Sequence, residues 1–79
     1  MNEIFELTRD NIIGEHVGAD EELLDKTEKF NSGTLLTIIR DAHPWGHVKG
    51  LEYCTVQIGG KYFNIAALVL AKSIKPMRP

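Results

Sequence analysis

Alternation between apolar and polar positions is clearest from residue 51 to residue 66, where two strand-like runs flank Gly59-Gly60. Two glycines between such runs predict a β-hairpin with a two-residue turn. That turn sets the register, with Val56 opposite Phe63, and separates the apolar side chains from the polar ones. The predicted apolar face holds Cys54, Val56, Phe63 and Ile65. The predicted polar face holds Tyr53, Thr55, Gln57, Tyr62 and Asn64.

Shorter runs predict further strands on either side of the hairpin. Residues 35–39 are apolar at every position but one, which is typical of a central strand covered on both faces. Residues 4–8 have enough β-branched and aromatic character for a short first strand at a sheet edge, and Asp10-Asn11 and Gly14 mark turns on either side of residues 12–13. Residues 66–68 are expected to form one helical turn before a last strand at residues 69–73. The expected fold is therefore mainly β, with about five strands.

One segment, residues 19–30, has features of a helix. Asp20 can cap a helix there, and Leu23 and Phe30 fall on one face of it. A long acidic loop held down by its apolar residues explains the same segment, and both interpretations stay open. Residues 31–33 end the segment in either case.

Length and composition are those of one small folded domain. The chain has 79 residues, 43% of them hydrophobic, which allows a modest core but no second domain or large active-site cavity. We expect an ordered part at about residues 3–75 and a flexible tail at residues 76–79. Cys54 is the only cysteine, the first residues do not resemble a signal peptide, and the longest apolar run has seven residues. These features predict a cytoplasmic protein.

Charge is divided unevenly along the chain. Residues 1–30 carry nine acidic and three basic residues, whereas residues 31–79 carry two acidic and six basic, so the net charges are −6 and +4. A distribution of this kind can present a basic surface to an anionic partner. The interpretation we favour is that the two parts neutralise each other locally in the fold.

Residues 40–50 are predicted to form an exposed connection, because Pro44 and Gly46 favour a turn around Trp45. An exposed Trp beside histidines and basic residues suits either a protein hot spot or the stacking of nucleic-acid bases. Trp45 could instead fold back over the end of the sheet as a plug, and the sequence does not separate the two. Tyrosines on the polar hairpin face can extend the surface. The candidate binding residues are Arg40, His43, Trp45, His47, Lys49, Tyr53 and Tyr62.

Other reactive side chains do not combine into a catalytic or metal site. The two histidines of the loop are separated by Pro44 and Gly46, which excludes a helical ligand pair, and no cluster completes four ligands. Cys54 alternates with the apolar residues of the hairpin, where a free cysteine packs as a small hydrophobic residue. Gly59-Gly60 lies between strands and so lacks the context of a phosphate-binding loop. We predict no enzymatic activity, no cofactor and no metal.

The order of these features resembles the SH3-like small barrel over roughly the last 60 residues. That layout has an acidic loop, a Gly turn, an apolar strand, an exposed Trp loop, a hairpin, a short helical turn and a final strand. Residues 61–69 are similar to the closing Tyr-Phe-Pro-Ser-Asn-Tyr-Val pattern of the family, although Ala66 stands where that pattern has Pro or Ser. The Ala-Leu-Tyr-Asp-Tyr motif of peptide-binding members is absent. Residues 48–50 before a strand also resemble the KOW-type barrels of transcription and ribosome proteins.

The resemblance and the Trp45 loop together imply an interaction module. We expect a small regulatory or accessory protein, of a type found in phages, that docks on a larger protein partner and not on a membrane. The alternative is a nucleic-acid-binding domain of the transcription or translation machinery, although the chain is acidic overall, with a pI of about 5.8. That alternative would use the basic residues of the C-terminal half, which are Arg40, Lys49, Lys61, Lys72 and Lys75.

Overall fold

A computed structural model of the chain describes residues 3–18, 23–44 and 50–77, with the backbone alone for residues 23–25. The described residues form seven antiparallel strands and one short helix in a single, strongly curled half-barrel sheet, instead of the five strands expected. The strands are β1 Ile4–Leu7, β2 Ile12–Val17, β3 Leu23–Phe30, β4 Leu35–Pro44, β5 Glu52–Ile58, β6 Lys61–Ala66 and β7 Ile74–Pro76, and the helix is α1 Ala67–Ala71. The order across the sheet is β3-β2-β6-β5-β4-β1-β7.

The β5–β6 hairpin confirms the predicted register residue by residue, from Tyr53 opposite Ala66 to Ile58 opposite Lys61. Both turn glycines have positive φ, 59° at Gly59 and 83° at Gly60, as a type I′ turn requires. The predicted apolar face is also confirmed, since each of its four side chains is buried in the core.

The segment before residue 31 is a strand, so the helix and the acidic loop are both wrong from Leu23 onward. β3 pairs with β2 from Phe30 to Thr27 and again at Leu23, with a register shift between them. Phe30 at the end of β3 meets Phe63 edge-on with ring centroids 4.8 Å apart. This long-range pairing outweighs the local helical features. Asp20, the proposed helix cap, lies outside the described residues.

Gly14, which marks a predicted turn, lies within strand β2 instead, whereas Asn11 at the other predicted turn has a φ of 61° just before the strand. Gly14 is needed there for space: a Cβ atom would lie 2.9 Å from the Phe30 ring and 3.2 Å from the Phe63 Cβ. The glycine therefore lets two aromatic side chains pack over the strand, which is a common role for glycine within a sheet.

Residues 35–39 are a strand as predicted, but the strand is not covered on both faces. Leu36 is buried, whereas Leu35 and Ile39 are exposed. β4 then continues to Pro44, through residues expected in an exposed connection. Its pairing with β5 shifts register on both sides of Arg40. Such irregularities increase local twist, which is consistent with the curl of the sheet.

The two ends of the chain meet at one side of the sheet. β1 lies between β4 and β7, so it is not the expected edge strand. The predicted helical turn is present as α1, and the last strand is β7, later than residues 69–73. Pro76, placed in the tail by sequence, is opposite Phe5, and the Met77 backbone N–H donates to the Ile4 carbonyl at 3.0 Å.

The core lies on the inner face of the curl. It is built from side chains of β1 to β6 together with Leu70 of α1, and Ile74 of β7 packs against it partly buried. The buried apolar cluster consists of Leu7, Ile12, Phe30, Leu36, Cys54, Val56, Phe63, Ile65 and Leu70.

Candidate functional site

An apolar groove of about 600 Å³ lies between α1 and the facing ends of β4 and β5. Leu68 and Val69 line it from the helix, and Pro44 and Leu51 line it from the strand ends. Leu68 is 76% exposed and Leu51 46% exposed, so large aliphatic side chains here face solvent. A cluster of exposed apolar side chains around a depression is typical of a protein-binding surface.

The fold holds the helix side of this groove in place. Leu70 is buried in the core and anchors the single turn, which turns Leu68 outward. At the end of the helix the Ser73 hydroxyl donates to the Val69 carbonyl at 2.6 Å, and the Ser73 N–H donates to the Leu70 carbonyl at 2.9 Å. These bonds satisfy carbonyls that a helix end leaves open and stabilise a very short helix.

Pro44 and Gly50, the described residues on either side of residues 45–49, both line the groove. Trp45, His47 and Lys49 themselves lie outside the described residues, so their candidate roles stay predictions. Their chain connections nevertheless begin and end at the groove.

Of the other candidate residues, the structure brings His43 and Tyr53 together, as opposed residues of β4 and β5. His43 is not the solvent-exposed loop histidine expected: it is buried, with its Nδ1 atom 2.9 Å from the Asp41 carbonyl oxygen. Arg40 is exposed and lies opposite Thr55. Tyr62 pairs with Gln57, four residues along β5 from Tyr53, which separates the two tyrosines by about 13 Å.

The supposedly polar hairpin face is partly buried, which the alternation pattern did not predict. Thr55 is 3% exposed and Asn64 2% exposed, and the Thr55 hydroxyl donates to Asn64 Oδ1 at 2.6 Å. Tyr53 and Tyr62 on the same face are half-buried. Part of each tyrosine side chain therefore packs on the sheet, and only the rest is open to a partner.

A buried histidine on β2 was also missed. His16 packs against the Phe63 ring at 4.4 Å between centroids, and its Nε2 lies 3.2 Å from Glu28 Oε1 on β3. The signal in the sequence was its spacing, since His16 lies two and four residues after Gly14 and Ile12 and so shares their face of the strand. The pair joins β2 to β3 on the inner face.

Cys54 occupies the core position that its alternation with Val56 predicted. Burial raises the pKa of the Cys54 thiol, and the carboxylates of Asp41 and Glu52 raise it further. A thiol in such surroundings stays protonated at neutral pH, whereas thiol nucleophiles need the thiolate. The environment of Cys54 is therefore that of a packing residue.

The described basic residues of the C-terminal half lie on separate elements. Lys61 begins β6, Lys72 follows α1, and Lys75 in β7 lies 3.8 Å from Glu6. Within the described ranges, no three potential metal ligands come together. The helix of the described chain lacks the length and apolar character needed to cross a membrane.

No protein-family model matches the chain, and comparison with curated proteins and with solved structures gives no significant match.

Proposed function

We propose that the protein is a non-enzymatic interaction module that binds an apolar segment of a larger protein partner in the groove between α1 and the β4–β5 ends. The observation that carries this proposal is the exposure of Leu68, which lines the apolar groove. Leu70 of the same helix is buried in the core and holds the helix in place. Exposed aliphatic side chains grouped around a concave surface lose unfavourable contact with water when a partner covers them.

The Trp45 loop forms the second part of the proposed surface. Pro44 and Gly50, which flank residues 45–49 in the chain, line the groove, so we expect Trp45 to contact the same partner segment. Trp is the residue type most enriched among binding hot spots. In this proposal the protein is a small accessory or regulatory protein, of a type found in phages.

We also propose that the fold is related to the SH3-like small barrel. The order of hairpin, one-turn helix and short final strand supports it, because α1 directly follows β6 and precedes β7. The seven strands of the curled sheet depart from the five expected of that layout. Proline-rich peptide recognition is not part of the proposal, because the motif that accompanies it is absent from the chain.

The test replaces Leu68 by Lys and measures partner capture. Immobilised wild-type protein and the Leu68→Lys variant are exposed to extract from the source cell, and Ile13→Lys serves as the matched control. Ile13 is 52% exposed on β2 and does not line the groove, so the control adds the same charge elsewhere. We expect Leu68→Lys to lose the captured protein and Ile13→Lys to retain it, with both variants melting near the wild-type temperature.

Equal capture by wild type and Leu68→Lys would refute the groove as the docking site. Trp45→Ala is the companion variant: we expect little loss of stability and a large loss of binding. A strongly destabilised Trp45→Ala variant would mean that Trp45 packs into the protein instead of contacting a partner.

Nuclease treatment and salt separate this proposal from nucleic-acid binding. Capture through an apolar groove should survive nuclease and change little between low and moderate salt. Capture that depends on nucleic acid should disappear with nuclease and weaken steeply with salt, because bound counterions are released on association.

A further inference from the structure

A second depression, of about 360 Å³, adjoins the groove at α1. Leu68 and Val69 line both, so the exposed side of the helix forms a ridge between them. Beyond these two residues the linings differ, and the depression is completed by Arg9, Asp10, Ile12, Lys72 and Ser73. A partner segment that crosses the ridge contacts both the groove and the depression.

Two basic side chains, Arg9 and Lys72, line the depression, and both are exposed. A backbone hydrogen bond holds their chain segments together, since the Thr8 N–H donates to the Ser73 carbonyl at 2.7 Å. Arg9 directly follows Thr8, and Lys72 directly precedes Ser73. Two like charges held near each other repel, and an anion that binds both of them relieves this repulsion.

The depression stays basic because its cations are not neutralised within the described part of the chain. Lys75, nearby on β7, lies 3.8 Å from Glu6, whereas no described ion pair involves Arg9 or Lys72. The acidic residue of the same lining, Asp10, accepts a hydrogen bond from the Ser32 N–H at 3.0 Å. Part of its capacity is therefore used by the turn that precedes β4.

The groove carries the opposite charge. Glu52, exposed at the start of β5, lines it, and the residues that line it include no basic one. An acidic group of a partner is therefore attracted to the depression and repelled by the groove, whereas an apolar group is stabilised by burial in the groove. The surface thus distinguishes one end of a bound segment from the other.

We propose that the partner segment is an aliphatic and acidic peptide that lies across α1, with an aliphatic side chain in the groove and a carboxylate over Arg9 and Lys72. This inference rests on the proposed function and adds the chemistry of the partner to it. Arg9 suits a carboxylate because its guanidinium can donate two parallel hydrogen bonds, and Lys72 adds a second positive charge. Both side chains are exposed, so the pair contributes modestly to affinity and more to the orientation and choice of the partner.

Peptide display on the immobilised full chain supplies the probe. A library of random peptides is selected on wild type, and peptides that bind wild type but not Leu68→Lys are groove ligands. We expect these peptides to carry an aliphatic residue with Asp or Glu close to it in sequence. One such peptide is then synthesised with a fluorescent label, and its dissociation constant is measured by anisotropy at an ionic strength of about 0.1 M, where distant charges are screened.

Charge reversal in the depression tests the carboxylate contact. Arg9→Glu/Lys72→Glu should weaken binding of the labelled peptide by about tenfold or more, and Arg9→Gln/Lys72→Gln by about two- to fivefold. A peptide with Lys in place of its acidic residue should bind wild type poorly and regain affinity for Arg9→Glu/Lys72→Glu, because opposite charges then face each other again. The control, Lys29→Glu/Lys61→Glu, makes the same change in net charge at exposed positions outside both linings, and it should leave the dissociation constant within about twofold of wild type.

The outcomes separate this inference from the proposed function. Peptides that need Leu68 but bind wild type and Arg9→Glu/Lys72→Glu equally would overturn the acidic partner and leave the groove as the docking site. A selection without any peptide that needs Leu68 would overturn both. Displacement of the labelled peptide by a single-stranded oligonucleotide would assign Arg9 and Lys72 to nucleic-acid phosphate instead. Thermal melting near the wild-type temperature shows that a variant is folded, and the Gln variant carries the test if the Glu variant is not.

Discussion

Thr55 and Asn64 lie opposite each other on the outer face of the β5–β6 hairpin, and their side chains bond to each other away from water. Their polarity predicted exposure, but both are buried in the fold. His43, predicted in an exposed connection, is likewise buried in a strand, and so is His16. Burial of a polar residue depends on which distant strands surround it, and that information is not present in local alternation.

Removing the Thr55 hydroxyl is expected to destabilise the fold. Thr55→Val keeps the shape of the side chain but leaves Asn64 Oδ1 without its donor in a buried position, which should lower the free energy of unfolding by about 1–3 kcal/mol. Thr55→Ser keeps the hydroxyl and should cost less. Urea denaturation checks both. A Thr55→Val variant as stable as wild type would mean that the bond contributes nothing net to folding.

At the level of elements, the accuracy of the sequence prediction followed how local each signal is. The hairpin was correct in register because two adjacent strands and a Gly-Gly turn specify one another within 16 residues. β3 was missed because its partner β2 lies on the far side of residues 18–22, and its alternating charges also satisfy helical spacing. β4 was cut short because Pro44 indicates a turn, yet a strand can end on Pro.

The turn itself offers a prediction at this scale. Gly59 has a φ of 59°, a left-handed conformation that Asn adopts readily and a β-branched residue does not. Gly59→Asn should therefore leave stability close to that of wild type. Gly59→Val should lower the free energy of unfolding by about 1–2 kcal/mol, measured by chemical denaturation. Equal stability of the two variants would contradict a type I′ turn.

In the whole molecule, the curl of the sheet divides scaffold from surface. The inner face holds the apolar core, which the alternation in β5 and β6 largely predicted. The groove was not predicted, because it needs α1 and the ends of β4 and β5 in one place, and these elements come together only in the fold. Pro44 and Gly50 of the predicted connection line the groove, whereas residues 45–49 between them lie outside the described part of the chain.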